Sequence, residues 1–173
     1  MGLIIAAPRS AVIVLIGASG AGKSTFARRH FGAYEIVSSD QCRAMVSDDE
    51  NNQAATDDAF ELLYCIVERR LHRHRLCVID ATNVKAKDRR GLVEIARKYQ
   101  VPAIAIVFRL PEQLHYERSG TRADRTVPDD AIAHQLASLH DSAGGLIEEG
   151  FHTVHLLASE QDVASVQVVR TPE

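Results

Sequence analysis

The chain has 173 residues, 46% of them hydrophobic and 25% charged, with 20 basic against 23 acidic side chains and a formal net charge of −3. That is the make-up of one folded domain with one active site, and it excludes disorder and a second full core. The mildly acidic balance argues against a protein that coats nucleic acid non-specifically, because displacing counterions needs a basic face. Cys42, Cys65 and Cys77 form no CxxC pair and are odd in number, so neither a disulfide framework nor a zinc knuckle is expected, and a reducing cytoplasm fits best. The apolar stretch 3–7 stops at Pro8 and Arg9, far short of the roughly 20 residues a membrane span requires, so no anchor is expected.

In chain order, AVIVLI at 11–16 is a continuous β-branched run, the pattern of a parallel strand buried on both faces. A glycine-rich turn follows, then a helix from Lys23 that puts Phe26 and His30 on one face. YEIVSS at 34–39 reads as a second strand, and Asp40 begins a short helical piece. Beyond the polar SDDENNQ at 47–53, the positions Ala59, Phe60, Leu63, Ile66, Val67 and Leu71 recur at helical spacing to about His74. A strand at 76–80, an amphipathic helix at 84–100 and a strand at 101–110 closed by Pro111 come next. The segment 112–125 starts helical and becomes Arg-rich; a helix at 129–146 begins at Pro128 and Asp129 and ends at Gly144 and Gly145; FHTVHLL at 151–157 is the fifth strand. This alternation predicts an α/β fold of P-loop kinase type: an open five-stranded parallel sheet, helices on both faces, and an Arg-bearing lid at about 112–127. Residues 1–173 form a single domain on this reading, and the ligand belongs outside the carboxyl ends of the strands.

The sequence Gly17-Ala18-Ser19-Gly20-Ala21-Gly22-Lys23-Ser24 matches G-x-x-x-x-G-K-[ST] between a buried strand and a helix, the context this motif requires. Such a loop turns peptide N–H groups around phosphate oxygens at a helix N-terminus. Residues 17–24 and Thr25 are therefore the expected ATP site, with Lys23 on the β- and γ-phosphates and Ser24 supplying a hydroxyl to Mg²⁺. Asp40, just past the second strand, is placed to accept the proton of an attacking hydroxyl, or to cap the helix that carries Arg43. Arg43, one turn further on, is placed to hold a substrate phosphate, the alternative being a solvated surface arginine. Asp80 ends the third strand as a second Mg²⁺ contact or as a turn residue. Arg118, Arg122 and Arg125 suit a lid that clamps a triphosphate, unless Glu117 and Asp124 neutralise them on a solvated face. Arg69, Arg70, Arg73 and Arg75 with Lys85, Lys87, Arg89 and Arg90 offer a basic track, though charge runs are more often solvated faces. The run Asp48-Asp49-Glu50 has no evident role, and His72, His74, His152 and His155 lack ligand spacing.

The stretches GASGAGKSTFARRHF, EIVSSDQCRAMVSDDENNQAATDDAFELL, VIDATNVKAKDRRGLVEIAR, ERSGTRADR and EEGFHTVHLL occur in the order in which similar stretches occur in the 5′-OH polynucleotide kinase module of bacterial polynucleotide kinase-phosphatase, an RNA-repair enzyme. The resemblance covers residues 11 to about 170. It implies transfer of the ATP γ-phosphate to 5′-OH ends of RNA or DNA. Asp40 would be general base, Arg43 would hold the terminal-nucleotide phosphate, and Lys23, Arg118, Arg122 and Arg125 would bind the ATP phosphates. It also implies fused or associated phosphatase and ligase-like modules, of which this chain holds none; it is an isolated module or a stand-alone relative. Two other readings use the same motif: a kinase of a small molecule such as a sugar, nucleoside or antibiotic, and a regulatory module that binds ATP without transferring phosphate.

Overall fold

The computed structural model describes residues 2–121, 123 and 127–172. Its centre is a five-stranded, wholly parallel sheet of β2 (Val12–Ile16), β3 (Ile36–Ser38), β4 (Cys77–Asp80), β5 (Ala103–Phe108) and β6 (Thr153–Leu157), in the order β3-β4-β2-β5-β6. The strands expected at 11–16, 34–39, 76–80, 101–110 and 151–157 are all present, trimmed at their ends. β2 lies at the middle, and all five of its residues are buried. Because side chains alternate along a strand, Val12, Val14 and Ile16 enter one half of the core, and Ile13 and Leu15 the other.

Helices α1 (Lys23–His30), α2 (Ser39–Ser47), α3 (Thr56–His72), α4 (Ala86–Lys98), α5 (Glu112–Gly120), α6 (Asp129–Ser142), α7 (Leu146–Glu149) and α8 (Glu160–Ser165) connect the strands. α3 buries Ala59, Leu63, Val67 and Leu71 at intervals of four, and these pack with Leu92 and Val93 of α4, Leu139 of α6 and Leu146 of α7 over one face of the sheet. On the opposite face, Phe26 and Ala27 of α1 pack beneath β2 and β5, with the Phe26 ring edge-on to Phe108 at 5.3 Å and tilted against His30 at 4.5 Å.

Two strands were not expected. β1 (Ile4–Pro8) and β7 (Gln167–Thr171) pair in parallel, Ile4 opposite Gln167 through Pro8 opposite Thr171, as a separate two-stranded sheet. Ile5 and Ala7 are wholly buried there against Ile13, Leu15 and Val166. The stretch 3–7, read as a short apolar run, is thus a structural strand covering the α1 face.

A buried polar network joins the sheet edge to the second half of the chain. Arg89 of α4 is 0% exposed. Its Nε donates to Glu149 Oε2 at 2.8 Å, Nη2 pairs with the other carboxylate oxygen, and Nη1 donates to the Asn83 carbonyl at 2.8 Å. Ser142 Oγ, at the end of α6, donates to the Val84 carbonyl at 2.6 Å and accepts from Arg89 Nη1 at 3.3 Å. Arg89 therefore does not belong to a surface basic track; it is a core residue. Its charge is tolerated because the guanidinium fork is matched by one carboxylate and one carbonyl. Removing the carboxylate strands the buried cation, so Glu149→Ala should lower unfolding free energy by about 3 kcal/mol in urea titrations. A loss under 1 kcal/mol would show that the pair is dispensable.

Candidate active site

The carboxyl ends of β2, β3 and β4 carry the chemistry-bearing residues on one edge of the sheet. Loop 17–22 leaves β2 and enters α1, which begins at Lys23 after Gly22 in a left-handed conformation (φ 84°), with no side chain capping its N-terminus. Gly20 is also left-handed (φ 82°), and a Cβ there would lie 2.8 Å from the His115 carbonyl oxygen, so no other residue fits without moving α5. The Gly17 N–H donates to the Thr82 carbonyl at 2.9 Å, tying the loop to the turn after β4. Lys23, nearly buried, folds back over the loop: Nζ donates to the carbonyls of Gly17 (2.7 Å) and Ala18 (2.9 Å). Ser24 and Thr25 occupy the first turn of α1, where an uncapped helix end favours an anion.

Asp40 is the second residue of α2. The helix is capped by Ser38, whose hydroxyl accepts from the Gln41 N–H at 3.3 Å; Asp40 is therefore not the cap. Ser38 is opposite Asp80 in the β3–β4 register, which brings the start of α2 and the end of β4 to the same edge. Arg43 is only 5% exposed; its Nη1 donates to Asp40 Oδ1 at 2.7 Å and to the Glu50 carbonyl at 3.1 Å. Arg43 is not a solvated arginine, and in this arrangement it orients the Asp40 carboxylate. The acidic run gains an account here. Asp48 is a left-handed C-cap of α2, Asp49 accepts from the Asn51 N–H at 2.9 Å, and Glu50 offers its carbonyl to Arg43.

Arg118 reaches the loop from α5, donating through Nη1 to the Gly20 carbonyl at 3.1 Å and pairing through Nη2 with Glu160 of α8. Its counter-ion is Glu160 rather than Glu117, which accepts instead from Gln113. Arg122 and Arg125 lie outside the described residues. Three further residues complete this edge, and of these His115 and Gln135 were not singled out from sequence. The His115 ring donates from Nδ1 to the Ser19 carbonyl at 2.9 Å, Gln135 Oε1 of α6 accepts from the Ser19 N–H at 2.8 Å, and Asn83 Nδ2 donates to the Leu15 carbonyl at 2.9 Å. The spacing of His115 to Arg118, one turn on one helix face, is the sole sequence signal for the first. Arg69, Arg73 and Arg75 are exposed, while Arg70 spends Nε and Nη2 on the Leu76 carbonyl.

A loop of this form between a buried strand and a helix, on a parallel sheet with strand order β3-β4-β2-β5-β6, defines a nucleotide-binding P-loop domain of kinase type. Residues 12–144 match the family described as AAA domain, and the chain belongs to that family. No curated protein matches it in sequence. Among solved structures it is similar to a chain of the Pnkp1/Rnl/Hen1 RNA repair complex, at 25% identity and a TM-score of 0.67 over 78% of this chain and 45% of that one. The chain thus spans less than half the length of that relative. It shares its fold with Kti12 of Chaetomium thermophilum in complex with ADP-AlF3 (19% identity, TM-score 0.65, 88% of this chain and 93% of that one). It shares it as well with a sugar kinase from Janibacter sp. HTCC2649 (17%, 0.57, 86% and 85%). The resemblance to a repair kinase read from the sequence is thereby matched in three dimensions. No helix among the described residues is long and apolar enough to cross a membrane.

Burial lowers the pKa of His30, His115 and His155 below the ordinary value of 6.5; the Arg29 charge adds to this for His30, and the Lys23 and Arg118 charges for His115, where the bond to the Ser19 carbonyl partly opposes them. The unfolded chain therefore takes up protons before the folded one does. The contribution of these groups to stability is fully present above pH 6.5 and is lost as the pH falls below it. Melting temperature should be level from pH 8 to about 7 and decline toward pH 5.5; a rise over that interval would contradict the burial argument.

Proposed function

We propose that the chain is an ATP-dependent kinase of polynucleotide 5′-hydroxyl ends, acting on RNA or DNA in end repair. The observation that carries the reading is a carboxylate, Asp40, on the P-loop edge of the sheet, held by a buried arginine one turn away. A module that only binds ATP has no use for an oriented base beside its nucleotide. The choice of a polynucleotide over a small acceptor is supported by the SSDQCRAMVSDDEN stretch and by the likeness to a chain of an RNA repair complex.

In the proposed reaction loop 17–22 and the α1 N-terminus hold the ATP phosphates, with the Lys23 ammonium, anchored on the loop carbonyls, turning its remaining N–H toward the β- and γ-phosphates. Asp40 takes the proton of the 5′-hydroxyl as its oxygen attacks the γ-phosphorus in line. The bond to the β-phosphate oxygen breaks, ADP leaves, and the 5′-phosphate ester remains. Arg43 orients Asp40 and draws in the phosphate of the terminal nucleotide; Arg118, with Arg122 and Arg125, steadies the transferring group. The Ser24 hydroxyl and the Asp80 carboxylate are hard oxygen donors, few in number, as suits Mg²⁺, which would neutralise phosphate charge when bound. Phosphatase and ligase-like modules are the proposed partners, and the free thiols of all three cysteines fit a cytoplasmic setting.

The test is transfer of label from γ-labelled ATP to matched 5′-OH RNA and DNA oligonucleotides, beside a free nucleoside. Label on an oligonucleotide and not on the nucleoside is expected; label on the nucleoside alone would make the chain a small-molecule kinase. Asp40→Ala should cut transfer by at least about 100-fold while ATP binding persists. Turnover within a few-fold of wild type would remove Asp40 from the base position.

A further inference from the structure

Turning peptide N–H groups inward around a phosphate turns peptide carbonyls outward, where each needs a donor. The carbonyls of Gly17 and Ala18 take Lys23, and that of Gly20 takes Arg118. Between them Ser19 is gripped on both sides of its backbone, its carbonyl by His115 of α5 and its N–H by Gln135 of α6. We propose that His115 and Gln135 are positioning residues for the nucleotide loop, fixing the Ser19 peptide groups so that the loop holds its phosphate-binding form before ATP arrives.

The chemistry of His115 supports this. A carbonyl only accepts, so Nδ1 must carry the proton. The ring is 1% exposed, and burial, helped by the Lys23 and Arg118 charges, favours its neutral form, in which Nε2 carries no proton once Nδ1 does. Among the described residues buried Nε2 makes no well-formed hydrogen bond, the Leu110 backbone being the polar group beside it. A leucine would fill this space without stranding a nitrogen, so packing alone does not call for histidine; the Nδ1–H to Ser19 does. A neutral ring also supplies the donor without adding a third charge between two cations. Gln135 belongs to the helix that follows the Arg-rich segment and His115 to the helix that precedes it. The ends of that segment are pinned together by Ser119, whose Oγ donates to the Val127 carbonyl at 3.1 Å. The grip therefore joins the nucleotide loop to both ends of the segment that carries Arg122 and Arg125.

The inference rests on the P-loop reading but not on the polynucleotide acceptor. It is tested by calorimetric titration of a non-hydrolysable ATP analogue with Mg²⁺ into wild type, His115→Leu, His115→Asn and Gln135→Leu. Melting temperatures, and steady-state ATP kinetics with the acceptor wild type uses, accompany the titrations. The leucine variants should weaken analogue binding and raise the ATP KM by roughly ten-fold, with kcat changed by less than about two-fold. His115→Asn, whose amide N–H takes the place of Nδ1–H, should recover most of the loss. Wild-type affinity in both Gln135→Leu and His115→Leu overturns the inference, as does an asparagine variant no better than leucine. Should His115→Leu fail to fold, half-buried Gln135→Leu decides alone. A wild-type chain that binds no analogue overturns the P-loop reading itself, and is told apart because the failure then precedes any substitution.

Discussion

The site depends on how four successive carbonyls are satisfied. A loop that cradles phosphate through its peptide nitrogens exposes its oxygens on the other side, and residues 17 to 20 do this at the edge of the sheet, Gly17 and Ala18 buried and Ser19 and Gly20 partly so. An unpaired carbonyl there would cost about 1–3 kcal/mol, a large fraction of a domain's net stability. The donors come from Lys23 on the adjoining helix and from His115 and Arg118 on α5, nearly a hundred residues along the chain. Gly20 is part of the same solution, since its missing Cβ is what lets the α5 backbone approach. The nucleotide loop is thus a tertiary object, and α5, the helix that opens the expected lid segment, completes it.

The Arg89 network does the corresponding work on the other face. Asn83, itself left-handed (φ 50°), sends its amide to the end of β2 and offers its carbonyl to Arg89, which reaches Glu149 and Ser142. Such a network adds little net stability over apolar packing, but it permits few alternative arrangements without stranding a charge. What it fixes is the end of α6, and α6 carries Gln135 to Ser19. Two polar systems on opposite sides of β2 therefore converge on one residue, Ser19.

These relations divide what the sequence discloses from what it conceals. β2 and β5 are legible because a parallel strand covered on both faces must be apolar throughout, and 17–24 is legible because its function needs contiguous residues at fixed spacing. Asp40 is legible by its place after a strand. β1 is not, because it is half exposed, ends in proline and finds its partner only at Gln167–Thr171, so no local pattern marks it. His115 and Gln135 stand 96 and 116 residues from Ser19 and carry no motif. The Arg-rich run misleads in one place, since Arg89 resembles its neighbours in sequence and lies wholly inside. Charge patterning cannot distinguish a solvated arginine from one whose carboxylate waits 60 residues away.

A chain of net charge −3 meets a polyphosphate only if its field is local. Lys23, Arg43 and Arg118 supply that field at the carboxyl edge of the sheet, and each is engaged with the protein before any ligand: with loop carbonyls, with Asp40 and Glu50, with Gly20 and Glu160. These engagements differ in depth. Arg43 is buried and shares its charge with the proposed base, so it is placed to stay during the reaction, whereas Arg118 is part-exposed and its link to Glu160 is a surface pair of small net worth. An incoming triphosphate competes easily for Arg118 and hardly at all for Arg43. The nucleotide side of the site is therefore adjustable while the proposed acceptor side is set in advance, the order required if ATP is to bind and release without disturbing the carboxylate proposed to receive the proton.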